Sequence, residues 1–353
     1  AVPGGRILVA GGYDERGIVD GLLAECDIFD PFGECWVEGG AAPLRRARWG
    51  HGCASMGGKV YVVGGCSLKV DARPQEAFME TLRSCEVYDP HADKWDTCGP
   101  LEVPRSGSRV VVLQDRHMVA VGGCDDVFGR AETQATIEVY DVRTDRWSLL
   151  EMRLSVPRTS AGVAAGLDGR CVYIAGGAPS QASVEVCCLE LPQSECCGGG
   201  AAAQHSTPPA EHHGKATPGG ACDKGCLVTV ADMPEARMGC QAAVLSLPRQ
   251  GLSGPTQRCL VVVGGERCDR TSGSLQPLPR VRQLSSVAVY DLQANFWCNS
   301  TAVVPPLAVP RTTMALCLGV GRVAPARLNS KPLLWRSGSA PLSTGLKARE
   351  ALR

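Results

Sequence analysis

Five times along the chain a short unbroken apolar run ends in two glycines: ILVAGG at 7–12, VYVVGG at 60–65, MVAVGG at 118–123, VYIAGG at 172–177 and LVVVGG at 260–265. Continuous apolarity over so few residues predicts a strand covered on both faces, and the glycines permit a bulge or a close backbone approach. A segment of alternating character follows, SCEVYD at 84–89 or ATIEVYD at 135–141, which predicts a second strand. Turn residues come next, DPHAD or DVRTD, and a Trp opens a third strand. An Arg introduces the fourth: RWGHGCASM from Arg48, RSGSRVVVL from Arg105, RTSAGVAAG from Arg158, RMGCQAAVL from Arg237 and RTTMALCLG from Arg311.

The spacing inside the unit is fixed. Tyr88-Asp89 precedes Trp95, Tyr140-Asp141 precedes Trp147, Tyr290-Asp291 precedes Trp297 and Phe29-Asp30 precedes Trp36, although aromatics are only 5% of the residues. A unit of four short strands cannot bury both of its own faces, so several must stack radially. The Gly-Gly pairs, the aromatics at 29, 88, 140 and 290 and the tryptophans at 36, 95, 147 and 297 together resemble the kelch repeat family. The resemblance implies an all-β fold, a kelch β-propeller of four-stranded blades, with the aromatic and the Trp packed between neighbouring blades. Five blades are recognisable, with Gly-Gly near 11, 64, 122, 176 and 264. The first lacks its Arg-led strand, so residues 311–319 are expected to complete it; the alternative is an incomplete six-bladed ring. The propeller is assigned to residues 1–319.

The fourth unit departs from the pattern. Cys187 stands where Tyr140 stands, and counting back from Arg237 by the Trp147–Arg158 separation puts Cys226 in the place of the Trp. The residues between, 192–225, are rich in Gly, Ala, Pro and His and predict a disordered insertion. This blade is expected to be the least stable. Residues 320–353 are basic, lack a Gly-Gly pair and read as a disordered tail.

Composition narrows the function classes. Lys plus Arg and Asp plus Glu are 36 each, so no basic field argues for nucleic acid. No run approaches the roughly 20 apolar residues of a membrane helix. The start, AVPGGRILVAGG, has no secretory leader and opens close to a strand, as in a fragment, and a cytoplasmic location is expected. The 19 cysteines are scattered through strands without a C-x-x-C pair and read as reduced, buried hydrophobes. Cys196, Cys197, His205, His212, His213, Cys222 and Cys226 are poorly spaced for zinc, so no metal or cofactor is expected. A galactose-oxidase-like site would need His and Tyr residues to converge, whereas His91 sits in a turn and His117 in a hairpin loop. Motifs for acyl transfer, phosphate cradling and zinc proteolysis are missing.

Binding is therefore expected on loops. By the resemblance, the turns after Gly-Gly and those before the Arg-led strands share one face. The latter offer Arg48, Trp49, Arg105, Ser106, Arg158, Thr159, Arg237 and Arg311, whose guanidinium groups form either a donor ring for carboxylates or phosphates, or internal bonds of the scaffold. Trp49 is an aromatic where other units have Ser, Thr or Met, and is a candidate anchor. The expected function is a noncatalytic protein-interaction module or scaffold with a protein partner, a cytoskeletal component among the candidates. The alternatives are the substrate-recognition subunit of a cullin-type ubiquitin ligase, if a BTB domain precedes this segment, and a galactose-oxidase-like or carbohydrate-binding propeller.

Overall fold

The computed structural model describes residues 2–69, 79–125, 133–178, 181–191, 225–248, 256–269, 280–298, 304 and 306–310. The insertion and tail expected at 192–225 and 320–353, and the closing strand expected at 311–319, thus lie outside the described residues but for Gly225. The fold is all-β, of β-propeller type with five recognisable blades. The chain divides into two compact units, one holding residues 1–106 and the other 107–125 and 131–316, with short further segments assigned to the first.

In the first unit, β1 (Ile7–Ala10), β2 (Cys26–Asp30) and β3 (Cys35–Trp36) form a three-stranded sheet. Next come β4 (Gly52–Met56) and β5 (Lys59–Val63), a hairpin of β6 (Cys66–Leu68) and β7 (Met79–Thr81), then β8 (Cys85–Asp89) and β9 (Lys94–Cys98). Strands β4, β5, β8 and β9 make one antiparallel sheet, and the hairpin stands apart from it. In the second unit, β10 (Arg109–Leu113), β11 (His117–Val121), β12 (Thr136–Asp141) and β13 (Arg146–Arg153) form a blade. So do β14 (Gly162–Ala165), β15 (Cys171–Ala175), β16 (Val184–Cys188) and β17 (Cys226–Val230). The last has β18 (Gln241–Pro248) and β19 (Thr256–Val263), an outlying hairpin of β20 (Glu266–Asp269) and β21 (Arg280–Gln283), then β22 (Val287–Asp291) and β23 (Phe296–Cys298). Each of the four described Arg-led strands pairs with the Gly-Gly strand that follows it.

The aromatic-Trp spacing is a register. Tyr88 lies directly opposite Trp95, Tyr140 opposite Trp147, Tyr290 opposite Trp297 and Phe29 opposite Trp36, with ring centroids 5.0 to 5.3 Å apart. The turn between them is closed by its own acids. The Asp89 carboxylate accepts the His91 and Ala92 N–H groups, and the Tyr88 hydroxyl donates to Asp93 at 2.7 Å. Asp93, Asp145 and Asn295 hold the left-handed conformation, which short polar residues tolerate best, and Tyr140 and Tyr290 donate to the last two in the same way.

Packing between blades follows. Tyr88 and Trp95 join Val60 and Val62 against Cys26, Leu44, Leu8 and Ala10 of the first blade's side. In the second unit, Val119, Val139, Ile174 and Cys187 bury one such layer, and Tyr173, Leu260, Val262 and Tyr290 another.

The fourth blade corrects one expectation. Cys187 is opposite Leu227, and Cys226 is opposite Cys188, so Leu227 takes the place of the Trp. The Trp147–Arg158 separation misleads because β13 carries a bulge against Thr136–Glu138. The Trp95–Arg105 separation, taken where β8 and β9 run in unbroken register, leads to Leu227. A second correction concerns Cys226, which is disulfide-bonded, whereas the other described cysteines are free thiols.

Candidate functional site

Four of the blade strands that end in Gly-Gly meet the backbone of the next Arg. The N–H groups of Gly12, Gly65, Gly123 and Gly177 donate to the carbonyls of Arg48, Arg105, Arg158 and Arg237 at 2.7 to 2.9 Å. A Cβ on the preceding glycine would lie 2.2 to 2.7 Å from the same carbonyl oxygens, at Gly11, Gly64, Gly122 and Gly176. Those four also have φ between +59° and +65°, so two independent constraints select glycine.

The arginine side chains turn the other way, into their own blades. Arg48, Arg105, Arg158 and Arg237 are at most 1% exposed. Arg48 donates to the carbonyls of Gly64 and Ser84, both at 2.9 Å, and to Glu86 at 2.6 Å. Arg158 donates to the carbonyls of Gly176 and Ser183 and to Glu185. The second carboxylate oxygens of Glu86 and Glu185 accept the N–H groups of Arg45 and Ser155. Burial pushes the Arg48 and Arg158 guanidinium groups down from their usual range, and their glutamates oppose that shift. In the fifth blade Ala288 occupies the position of these glutamates, and Arg237 has Glu235 at 3.6 Å instead, with the Gly264 carbonyl at 2.9 Å.

Arg48, Arg158 and Arg237 form internal bonds of the scaffold and Arg105 is buried like them, so these four guanidinium groups do not make an exposed donor ring. The one at position 311 lies outside the described residues. In three repeats the next residue pairs its backbone with the residue after Gly-Gly: Trp49 with Cys66, Thr159 with Ala178 and Met238 with Glu266. Trp49 is half-buried, meets the Tyr13 ring edge-on at 5.9 Å, and leaves its indole N–H without a partner among the described residues. Ser106 is buried, while Thr159 is half-buried with its hydroxyl over Gly107. The residue after that is left-handed in each copy, at Gly50, Gly107, Ser160 and Gly239, and Ser160 links Gly107 to Gly239 through its backbone N–H and carbonyl.

Sequence reasoning missed the glutamates and the hairpins. The signal for the first was present: Glu86, Glu138 and Glu185 recur one residue before a β-branched position in the second strand, in step with the arginines. All three are buried.

Within the first unit the two histidines do not converge. In the first unit His51 lies beside Gly65, whereas His91 is exposed in the turn at the other strand end. His117 is the first residue of β11 rather than a loop residue, fully buried, with neither ring nitrogen hydrogen-bonded among the described residues. Burial depresses its pKa, Arg116 and Arg143 add to that, and Asp141, with an oxygen 3.9 Å away, opposes it. An unfolded His titrates near about 6.5. The stabilising effect of a neutral His117 is therefore complete above that pH and is lost as the pH falls below it, because the unfolded chain binds the proton first. Urea midpoints measured between pH 7.5 and pH 5.5 are expected to fall for the wild type and to fall less for His117→Leu.

Among the described residues no three His, Cys, Asp or Glu side chains are grouped to hold a metal, and no helix is long and apolar enough to cross a membrane.

The Kelch motif model matches residues 47–102 and 104–151, two stretches that each begin at an Arg-led strand and end past a Trp. Over these two stretches the repeats are similar to the Kelch motif. Kelch-like protein 25 of Xenopus tropicalis is 30% identical over 174 residues, 49% of this chain and 27% of that protein. An F-box/kelch-repeat protein of Arabidopsis thaliana is 31% identical over 159 residues, 44% of this chain and 35% of that one. The chain thus spans only about a quarter to a third of these relatives. The solved structure of YjhT superposes with a TM-score of 0.59 at 12% identity, covering 89% of this chain and 84% of that one, a likeness of fold.

Proposed function

We propose that this kelch chain is a noncatalytic protein-interaction module, with residues 1–319 as its propeller, which recognises a partner through the hairpins that follow Gly-Gly. One observation carries this reading: the residues that repeat are consumed by the scaffold, while the hairpins beyond Gly-Gly differ from blade to blade. The β6–β7 hairpin is tied down by Arg46, which donates to Ser67, the Leu68 carbonyl and Glu80. The β20–β21 hairpin sets Arg267 directly opposite Arg282 and Asp269 opposite Arg280. Variable loops on a repeated frame are where binding residues accumulate. Trp49 and Thr159, half-buried beside the first residue of such loops, are the side chains of the Arg-led turns best placed to join them.

A finer reading makes this propeller the substrate-recognition part of a cullin-type ubiquitin ligase in the cytoplasm; the relatives named Kelch-like and F-box/kelch-repeat favour it over a cytoskeletal scaffold. The test is affinity capture with the full-length protein. A partner retained by the wild type should be lost when residues 266–283 are replaced by a two-residue turn, and kept in Trp95→Phe. Retention by the hairpin variant would refute recognition through that loop, and a cullin in the capture would decide for the ligase.

A further inference from the structure

We propose that Cys171 and Cys188 are a peroxide-responsive dithiol that closes to a reversible disulfide. The site lies at the end of the fourth blade opposite its Gly-Gly pair and is independent of the recognition loops. At the equivalent row the other complete blades place an acid in the middle strand: Lys59, Asp89 and Lys94; His117, Asp141 and Arg146; Cys259, Asp291 and Phe296. The fourth blade replaces the whole row with Cys171, Cys188 and Cys226.

Cys171 and Cys188 face each other across β15 and β16 with their sulfurs 2.9 Å apart. The next pair outward is joined by the Leu189 N–H to Arg170 carbonyl bond, so the two cysteines occupy a pair without its own backbone bonds, where side chains approach most closely. That spacing suits a disulfide without movement of the strands. Cys226, on the other side of Cys188, is already disulfide-bonded and offers no thiol. The neighbouring Cys187 points to the opposite face, against Val139 and Ile174, while Cys188 faces Leu260 and Val262.

The two sulfurs have distinct roles. The contact between the two sulfurs, in which either can be the donor, lowers the Cys188 pKa against the effect of burial, and the same contact, burial and nearby Asp168 raise that of Cys171. Cys188, though buried where Cys171 is partly exposed, is the sulfur that deprotonates more readily, and as thiolate it is the attacking one. It attacks one oxygen of hydrogen peroxide: an S–O bond forms, the O–O bond breaks, hydroxide departs, and the sulfur becomes a sulfenic acid. Cys171 sulfur then attacks Cys188 Sγ; the S–S bond forms, the S–O bond breaks, and the departing hydroxide leaves as water with the Cys171 proton. Two thiols are oxidised for one peroxide reduced to two waters, and a thiol reductant restores the pair by exchange.

The experiment treats the full chain with hydrogen peroxide, alkylates the remaining thiols and maps peptides by mass spectrometry. The wild type should yield a Cys171–Cys188 linked peptide that dithiothreitol releases, with alkylation lost at both sites in step while Cys240, which donates to the Ala175 carbonyl, stays alkylated. In Cys171→Ser the linked peptide should be lost and dimedone should capture Cys188 as its sulfenic acid; in Cys188→Ser, Cys171 should stay alkylatable. Absence of the linked peptide from the wild type, or oxidation of Cys171 at the same rate in Cys188→Ser, would overturn the proposal. The wild-type readout stands even where a variant fails to fold.

Discussion

Arg158→Ala is expected to lower the unfolding free energy by about 3–5 kcal/mol, the usual cost of leaving one half of a buried ion pair behind. Both side chains of the Arg158–Glu185 pair are fully buried, and removing the guanidinium strands the Glu185 carboxylate together with the carbonyls of Gly176 and Ser183. Glu185→Ala should cost about as much, and the two losses should not add, because either one alone destroys the pair. Replacing both, Arg158→Met with Glu185→Leu, should recover most of the stability, since apolar groups of similar volume need no partner. Arg237→Ala should cost less than Arg158→Ala: its acid, Glu235, is 22% exposed and 3.6 Å away, and Ala288 leaves no buried charge behind. Denaturant unfolding checks the ranking. Equal losses at 158 and 237 would show that the carbonyl bonds, rather than the ion pair, set the energy. Partner capture by Arg158→Ala, measured at a temperature where it stays folded, should be unchanged, because its backbone carbonyl still receives the Gly123 N–H.

Trp95→Ala is the second large effect, also about 3–5 kcal/mol. The side chain is 3% exposed, packs on Tyr88, and donates its indole N–H to the Ala42 carbonyl at 2.8 Å. Asp93 accepts both the Tyr88 hydroxyl and the Ala42 N–H, so the Trp, the Tyr and the turn acid hold one and the same link from the preceding blade. Truncation therefore removes packing and leaves a buried carbonyl without its donor. Trp95→Phe keeps the ring and should lose only about 0.5–1.5 kcal/mol, the net worth of one hydrogen bond. Thermal unfolding of the two variants separates the contributions; equal losses would assign the whole effect to the indole N–H.

Much of the architecture was legible because it repeats at fixed spacing. Tyr88 and Trp95 lie seven residues apart because the intervening turn returns the chain to register, and four copies made that plain. The arginines were legible as equivalent positions but open in role. Arg is seldom buried without a partner, and the partner sits on a different strand, so only the topology brings Arg48 to Glu86 and Arg158 to Glu185. The Cys226 assignment failed for a local reason: a bulge in β13 adds length that residue counting cannot see. The cysteine row was hidden for the same reason as the ion pairs, since Cys188 and Cys171 become neighbours only across an antiparallel pair. The β6–β7 and β20–β21 hairpins escaped notice because their sequences carry no strong alternation, as expected of segments shaped outside a packed core.

The Gly-Gly lock is finished before the following loop begins. Gly65 and Gly177 donate their N–H groups to carbonyls of arginines already fixed by the blades, and the hairpin sheets share no ladder with the blade sheets. For protein engineering this makes the blade frame a cassette holder: foreign recognition segments can be grafted after the second glycine, with the glycines, the Arg-led turn and the strands on either side kept as the boundary of the exchange.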